Sequence, residues 1–159
     1  MANTQSMCTS FLGELLSATH NFSSANPAQT ASTANTFKAA LYLASATVNA
    51  STTAYSVTGE VSGTNYTAGG VTVTNATNPA STNSSVTAGV AYWTPSASIV
   101  YSTVTLSTAF DTMLLYNSTQ TNKAVAVYTF GSQTITAGNF TLTMPSNSTT
   151  TALVRLSTT

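Results

Sequence analysis

The sequence predicts an all-β fold, an antiparallel β-sandwich or jelly-roll-like barrel of about eight strands, preceded by an irregular N-terminal arm. Three observations carry this. From Thr36 onward the chain is rich in β-branched and aromatic residues. Several short runs alternate apolar with polar residues at the strand period of two. Gly, Pro and Asn punctuate those runs at short intervals, as turns between strands require.

Residues 1–35 read as the arm, and 36–159 as the sandwich domain. Within the arm, residues 6–16 suit a short amphipathic helix, with Phe11, Leu12, Leu15 and Leu16 as its apolar positions. Residues 21–35, rich in Ser, Ala, Asn and Thr and containing Pro27, read as loop or extended chain.

Residues 37–43 form the first expected strand. Residues 52–56 suit one helical turn, and Gly59, Gly63, Gly69 and Gly70 punctuate a long connection. Residues 71–74 alternate, with Val71 and Val73 on one face. Residues 89–94 make a strand ended by Pro95, and 99–106 make the next. Residues 111–116 and 124–130 flank a polar loop, 117–122, and predict a hairpin. Simple register sets Tyr116 opposite Ala124 and Leu114 opposite Ala126. Met113, Leu115, Val125 and Val127 share the other face, so the hairpin is apolar on both sides and is expected to be central. Short strands at 133–136, 140–144 and 151–156 complete the domain.

Charge narrows the function. Only Glu14, Lys38, Glu60, Asp111, Lys123 and Arg155 carry a full charge, net charge is zero, and Ser and Thr make up over a third of the chain. An ordinary domain is about a quarter charged. Nucleic-acid binding needs clustered Lys and Arg, so it is not expected. No apolar run approaches the roughly 20 residues of a membrane-spanning helix. The first residues carry no basic segment and no long apolar stretch, so synthesis in the cytoplasm without signal-directed export is expected. Near-zero net charge favours association.

Catalytic and cofactor chemistry find little material. The lone His20 has Cys8 and Glu14 nearby in sequence, but the spacing fits no metal-site pattern. Val71 follows Gly70 where a phosphate loop needs Lys and Ser or Thr, so the glycines read as turns. One histidine and three carboxylates leave few ways to build a nucleophilic triad or a glycosidase pair. Neither an enzyme nor a cofactor is expected. Triplets such as Asn49-Ala-Ser51 follow from composition alone. Tyr42, Tyr92, Trp93, Tyr101, Tyr116 and Tyr128 fall in strands, where packing is their ordinary role and a carbohydrate platform the alternative.

Phe37-Lys-Ala-Ala-Leu-Tyr42, Thr53-Ala-Tyr55, Gly59-Glu-Val-Ser-Gly63 and Tyr66-Thr-Ala-Gly-Gly-Val71 stand in one half of the chain. Leu115-Tyr-Asn-Ser-Thr119, Asn122-Lys-Ala-Val-Ala-Val127 and Phe130-Gly131 stand in the other. Together, over residues 36–156, they resemble a family of small virion structural proteins of tailed bacteriophages. The Ala/Ser/Thr-rich stretch 26–33 is outside the likeness. The resemblance implies a non-enzymatic particle component located in the virion. Its first expectation is a capsid decoration (cement) protein that binds the major capsid protein as a small homo-oligomer, with a trimer favoured. Its second is a tail- or fibre-associated module that adheres to host glycans.

Two site expectations follow. Lys38 interrupts an apolar strand and Glu60 sits among the glycines, so an ion pair between them is expected to pin residues 59–70 to the first strand. Phe11, Leu12, Leu15, Leu16 and Phe22 are the large apolar groups of the arm; they are expected to bind the partner, leaving a β domain that folds without residues 1–22, with the alternative that Phe11, Leu12, Leu15 and Leu16 cap one end of the domain's own core.

Overall fold

The computed structural model describes residues 2–23, 34–75, 77–82 and 89–158, and the Ala/Ser/Thr-rich stretch 26–33 lies outside them. In chain order the elements are β1 (Ser6–Met7), α1 (Thr9–Leu16), β2 (Phe37–Leu43), β3 (Val71–Thr72), β4 (Ala80–Ser81), β5 (Val90–Trp93), β6 (Ile99–Asn117), β7 (Lys123–Leu142) and β8 (Val154–Ser157). They form two antiparallel sheets, ordered β1-β7-β6-β2-β3 and β4-β5-β8. The expected all-β sandwich of about eight strands is the architecture found.

The scaffold is the β6–β7 hairpin, whose arms run 19 and 20 residues. Sequence reading breaks this length into five strands, at 107–110, 117–122, 131–132 and 137–139. Only the turn at 118–122 interrupts the ladder. The other breaks are register shifts within continuous strands, including those between Tyr101 and Val104 and between Leu106 and Phe110. Thr103 (φ 50°) and Ala137 (φ 48°) take left-handed backbone in this stretch. Small and polar residues there act as bulges, which bend a strand without ending it.

At the turn end the register is nearly the simple one. Tyr116 faces Ala124, but one residue is then skipped, so Leu115 faces Ala126 and Leu114 faces Val127. Leu115 and Val125 are both fully buried, and the hairpin is central. On the β2 side, Phe37 to Tyr42 pair with Asn117 to Thr112 without a break. Phe37 stacks on Phe22 at 4.4 Å between ring centroids and lies 5.8 Å from Trp93 of the second sheet. Tyr116 stacks on Tyr55 at 4.8 Å. Residues 52–56 form no helical turn; Ala54 makes an isolated bridge to Lys123, and the Tyr55 N–H donates to the Asn122 carbonyl.

The N-terminal segment departs most from expectation. Over residues 2–23 it is part of the domain rather than an arm. β1 pairs with Ala126 and Val127 of β7, the Cys8 N–H donates to the Val125 carbonyl, and the Asn3 amide donates to Leu43 O and Asp111 Oδ1. Phe11 is fully buried and Phe22 is 8% exposed. The physical reason is geometric. The outer edge of β7 is open where β1 docks, and α1 packs against β7, so docking at home buries Phe11 and half-buries Leu15.

Candidate functional site

The surface best built for contact is the outer stripe of α1. Phe11 points inward, and Leu15 is half-buried against the core. Leu12 and Leu16, one turn apart and therefore on one stripe, are 47% and 93% exposed. Of the five apolar residues expected to bind a partner, Phe11 and Phe22 are thus committed to the chain's own core, Leu15 is half-committed, and Leu12 and Leu16 are free.

A polar cluster holds the helix in place. Glu14 Oε1 accepts from Lys123 Nζ at 2.7 Å, and Oε2 lies 2.8 Å from His20 Nε2. His20 Nδ1 is 3.0 Å from the Asn117 amide nitrogen, which also donates to Asn35 Oδ1 at 2.8 Å. The amide can only donate to Nδ1, so His20 is neutral with its proton on Nε2, directed at Glu14. Asn117 Oδ1 accepts from the N–H groups of Thr119 and Gln120, which shapes the hairpin turn. Burial pushes His20 below its ordinary value, against the pull of Glu14. Partial burial raises the Glu14 carboxyl, but hydrogen bonds and charge from Lys123 and His20 outweigh it, so it titrates below the usual carboxylate range. Burial, with the Glu14 charge added, pushes the Cys8 thiol up to about 11. Cys8 is therefore a buried, inert thiol. No three of His, Cys, Asp and Glu come together as metal ligands among the described residues.

The second polar cluster overturns the expected Lys38–Glu60 ion pair. The ion pairs among the described residues are those of Glu14 alone. Glu60, 8% exposed, accepts from the Tyr55 and Tyr66 hydroxyls at 2.7 Å each and from the Gly69 N–H at 2.8 Å. Tyr66 in turn accepts the Leu41 N–H, and Tyr116 donates to the Gly69 carbonyl. A carboxylate supplied with three neutral donors needs no ammonium. Residues 59–70 are pinned to β2 as anticipated, but by tyrosines and backbone: Glu60 bridges Tyr42, and the Val61 N–H donates to Leu41 O. The glycines serve close approach. A Cβ on Gly70 (φ 68°) would stand 1.7 Å from the Ala39 carbonyl oxygen, and one on Gly63 would stand 2.0 Å from that of Thr105.

An apolar cleft of about 250 Å³ lies between the 11–23 segment and the second sheet, lined by Phe11, Leu15, Phe22, Tyr92, Trp93 and Val154 among others. Tyr92 and Tyr128 are half-buried, and packing, the ordinary role expected for the strand aromatics, is what Tyr42, Trp93, Tyr101 and Tyr116 show at 2% exposure each. Their hydroxyls and the indole N–H are spent internally, as in Tyr101 donating to Ala39 O and Trp93 to Thr77 O. Among the described residues no helix is long and apolar enough to cross a membrane.

Sequence reading missed Asn117, Lys123, Tyr55 and Tyr66 as organising residues. The signal available was the rarity of charge itself: with six charged residues, Lys123 beside a turn was a candidate partner for any buried acid. No family model matches the chain, and neither a curated protein nor a solved structure matches it.

Proposed function

We propose that the protein is a non-enzymatic virion structural component, a decoration protein that binds the outside of a bacteriophage head and stabilises the shell. The observation that carries this is where the charges go. Five of the six charged residues, Glu14, Lys123, Glu60, Asp111 and Arg155, bond within the chain, with Arg155 itself exposed, and the exterior is otherwise mainly hydroxyls and amides with the Leu12–Leu16 stripe, Val57 and Val100. Such a surface suits permanent contact with protein, where burying uncompensated charge is costly. Binding the assembled shell and not its free subunits stabilises the shell by mass action. The likeness of residues 36–156 to phage virion proteins supports the same reading. The burial of the strand aromatics favours it over a glycan-binding tail module.

Copy number is the test. Densitometry of purified particles should give this protein in numbers comparable with the coat protein; a handful per particle would place it on the tail and end the head reading. Because docking rests on apolar burial, occupancy should barely change between low salt and about 1 M, where exposed charges are screened over about 3 Å. Steep release by moderate salt would count against it.

A further inference from the structure

The geometry points to a second copy of this chain pairing edge to edge with residues 133–142 of β7, about a two-fold axis between Ala137 and Gly138.

β1 covers only Ala126 and Val127 of the outer side of β7. Beyond them, residues 128–142 pair with β6 alone among the described residues, which leaves a row of backbone donors and acceptors on the open side. Natural edges of this length are guarded by charges, by Pro or by coverage. Here residues 124–144 contain no Asp, Glu, Lys, Arg or Pro.

Length selects the occupant. The other sheet edges among the described residues are β1, β3 and β4, of two residues each, β8, of four, and the side of β6 beyond β2 over residues 99–109, which the Thr64–Thr105 bridge, the Ala44 N–H on Ala109 O and the Asn65 amide on Thr103 O already interrupt. Only β7 itself offers an uninterrupted partner of this length. Charge agrees, because a neutral edge meets its own copy without like-charge repulsion.

The bulge selects the register. Ile135 and Phe140 lie half-buried on the inner face, while Thr134, Thr136, Asn139 and Thr141 are exposed on the outer one. The inner set thus switches from odd to even positions across Ala137, whose φ is 48°. An axis between Ala137 and Gly138 sets Ile135 of one copy opposite Phe140 of the other, and Thr134 opposite Thr141. Inner then meets inner and outer meets outer in every pair but the central Ala137 and Gly138, which sit at the bulge. Phe140 already packs on Phe110 at 5.1 Å, so the pairing would extend the core of each copy into the other. The two-fold replaces the three-fold expected from the sequence, and the proposal stands independently of placement on the head.

Sedimentation equilibrium of the full chain should give a monomer–dimer equilibrium. Thr134→Lys with Thr141→Lys sets two like-charge pairs across the axis and should raise the dissociation constant about tenfold. Thr134→Lys with Thr141→Glu sets opposite charges across the same axis and should hold the dimer. Ser107→Lys, exposed on β6 away from the edge, should leave it unchanged. Should the doubly substituted chain misfold, hydrogen exchange of the unmodified protein decides: amides of 133–142 should slow with rising concentration while those of 99–106 do not. A monomer at every concentration, a trimer, a dimer indifferent to the double lysine variant, or concentration-independent exchange would each overturn the proposal.

Discussion

Asn117 and His20 are 97 residues apart in the chain and joined at 3.0 Å, amide nitrogen to Nδ1. The contact fixes the histidine tautomer and, through it, the proton presented to Glu14. It ties the end of β6 to the segment that follows α1, so one amide organises the hairpin turn and the seat of the helix together.

Asn117→Ala should be among the most damaging polar substitutions. It strips His20 Nδ1 and Asn35 Oδ1 of a donor and the Thr119 and Gln120 N–H groups of an acceptor, in a site with no exposure at Asn117. A loss of about 2–4 kcal/mol is expected from urea unfolding, with an unchanged m-value.

Acid should destabilise the fold in two stages. His20 titrates below its unfolded value, so its contribution is intact above about 6.5 and is lost as pH falls through the lower folded value. Glu14 is also depressed, so its contribution is present above the unfolded carboxylate value and is lost at still lower pH. The melting temperature should be flat from pH 8 to about 7 and decline below about 6.5. His20→Gln should remove the upper stage and keep the lower one. A melting temperature that rises on acidification would contradict both assignments.

The two members of the expected ion pair should behave differently. Glu60→Ala orphans two tyrosine hydroxyls and the Gly69 N–H and should cost about 3 kcal/mol or more. Lys38→Met should stay within about 1 kcal/mol. Equal losses, with strong coupling in a double-mutant cycle, would restore the ion pair.

Gly70→Ala and Gly63→Ala should each prevent normal folding or cost more than about 4 kcal/mol, because the new methyl would meet a backbone carbonyl, which cannot rotate away as a side chain can. Gly13→Ala, with open space around it on the helix, should be neutral or stabilising by about 1 kcal/mol. Thermal melts of the three variants check the contrast.

Removing residues 2–22 should unfold the domain, since Phe11 and Phe22 sit in its core. Leu12→Ser with Leu16→Ser should leave the melting temperature nearly unchanged and weaken attachment to shells, measured by co-sedimentation. Full attachment by that variant would remove the α1 stripe from the proposed contact.

What was legible in the sequence follows the range of each signal. Period-two alternation reports a strand locally, so β2 was read residue for residue and the central hairpin with its buried faces was clear. The breaks at 107–110, 131–132 and 137–139 were over-read, because turn residues and bulge residues share a composition. The α1 helix was read within a few residues, but its fate was not. Whether Phe11 packs at home or on a partner depends on an empty strand edge more than a hundred positions away, and no local pattern encodes that. The Glu14–His20–Asn117 and Glu60–tyrosine clusters stayed hidden for the same reason.

The pairing of Ser6 and Met7 with Val127 and Ala126 has a consequence during synthesis. Residues 6–16 leave the ribosome more than a hundred residues ahead of the strand they dock on. Until β7 emerges, Phe11 and Leu15 have no sheet to cover, and closing so long a loop is entropically slow. The nascent chain therefore carries a bare apolar helix until β7 has been made. Its yield in a cell should depend on chaperone supply and elongation rate far more than its final stability suggests.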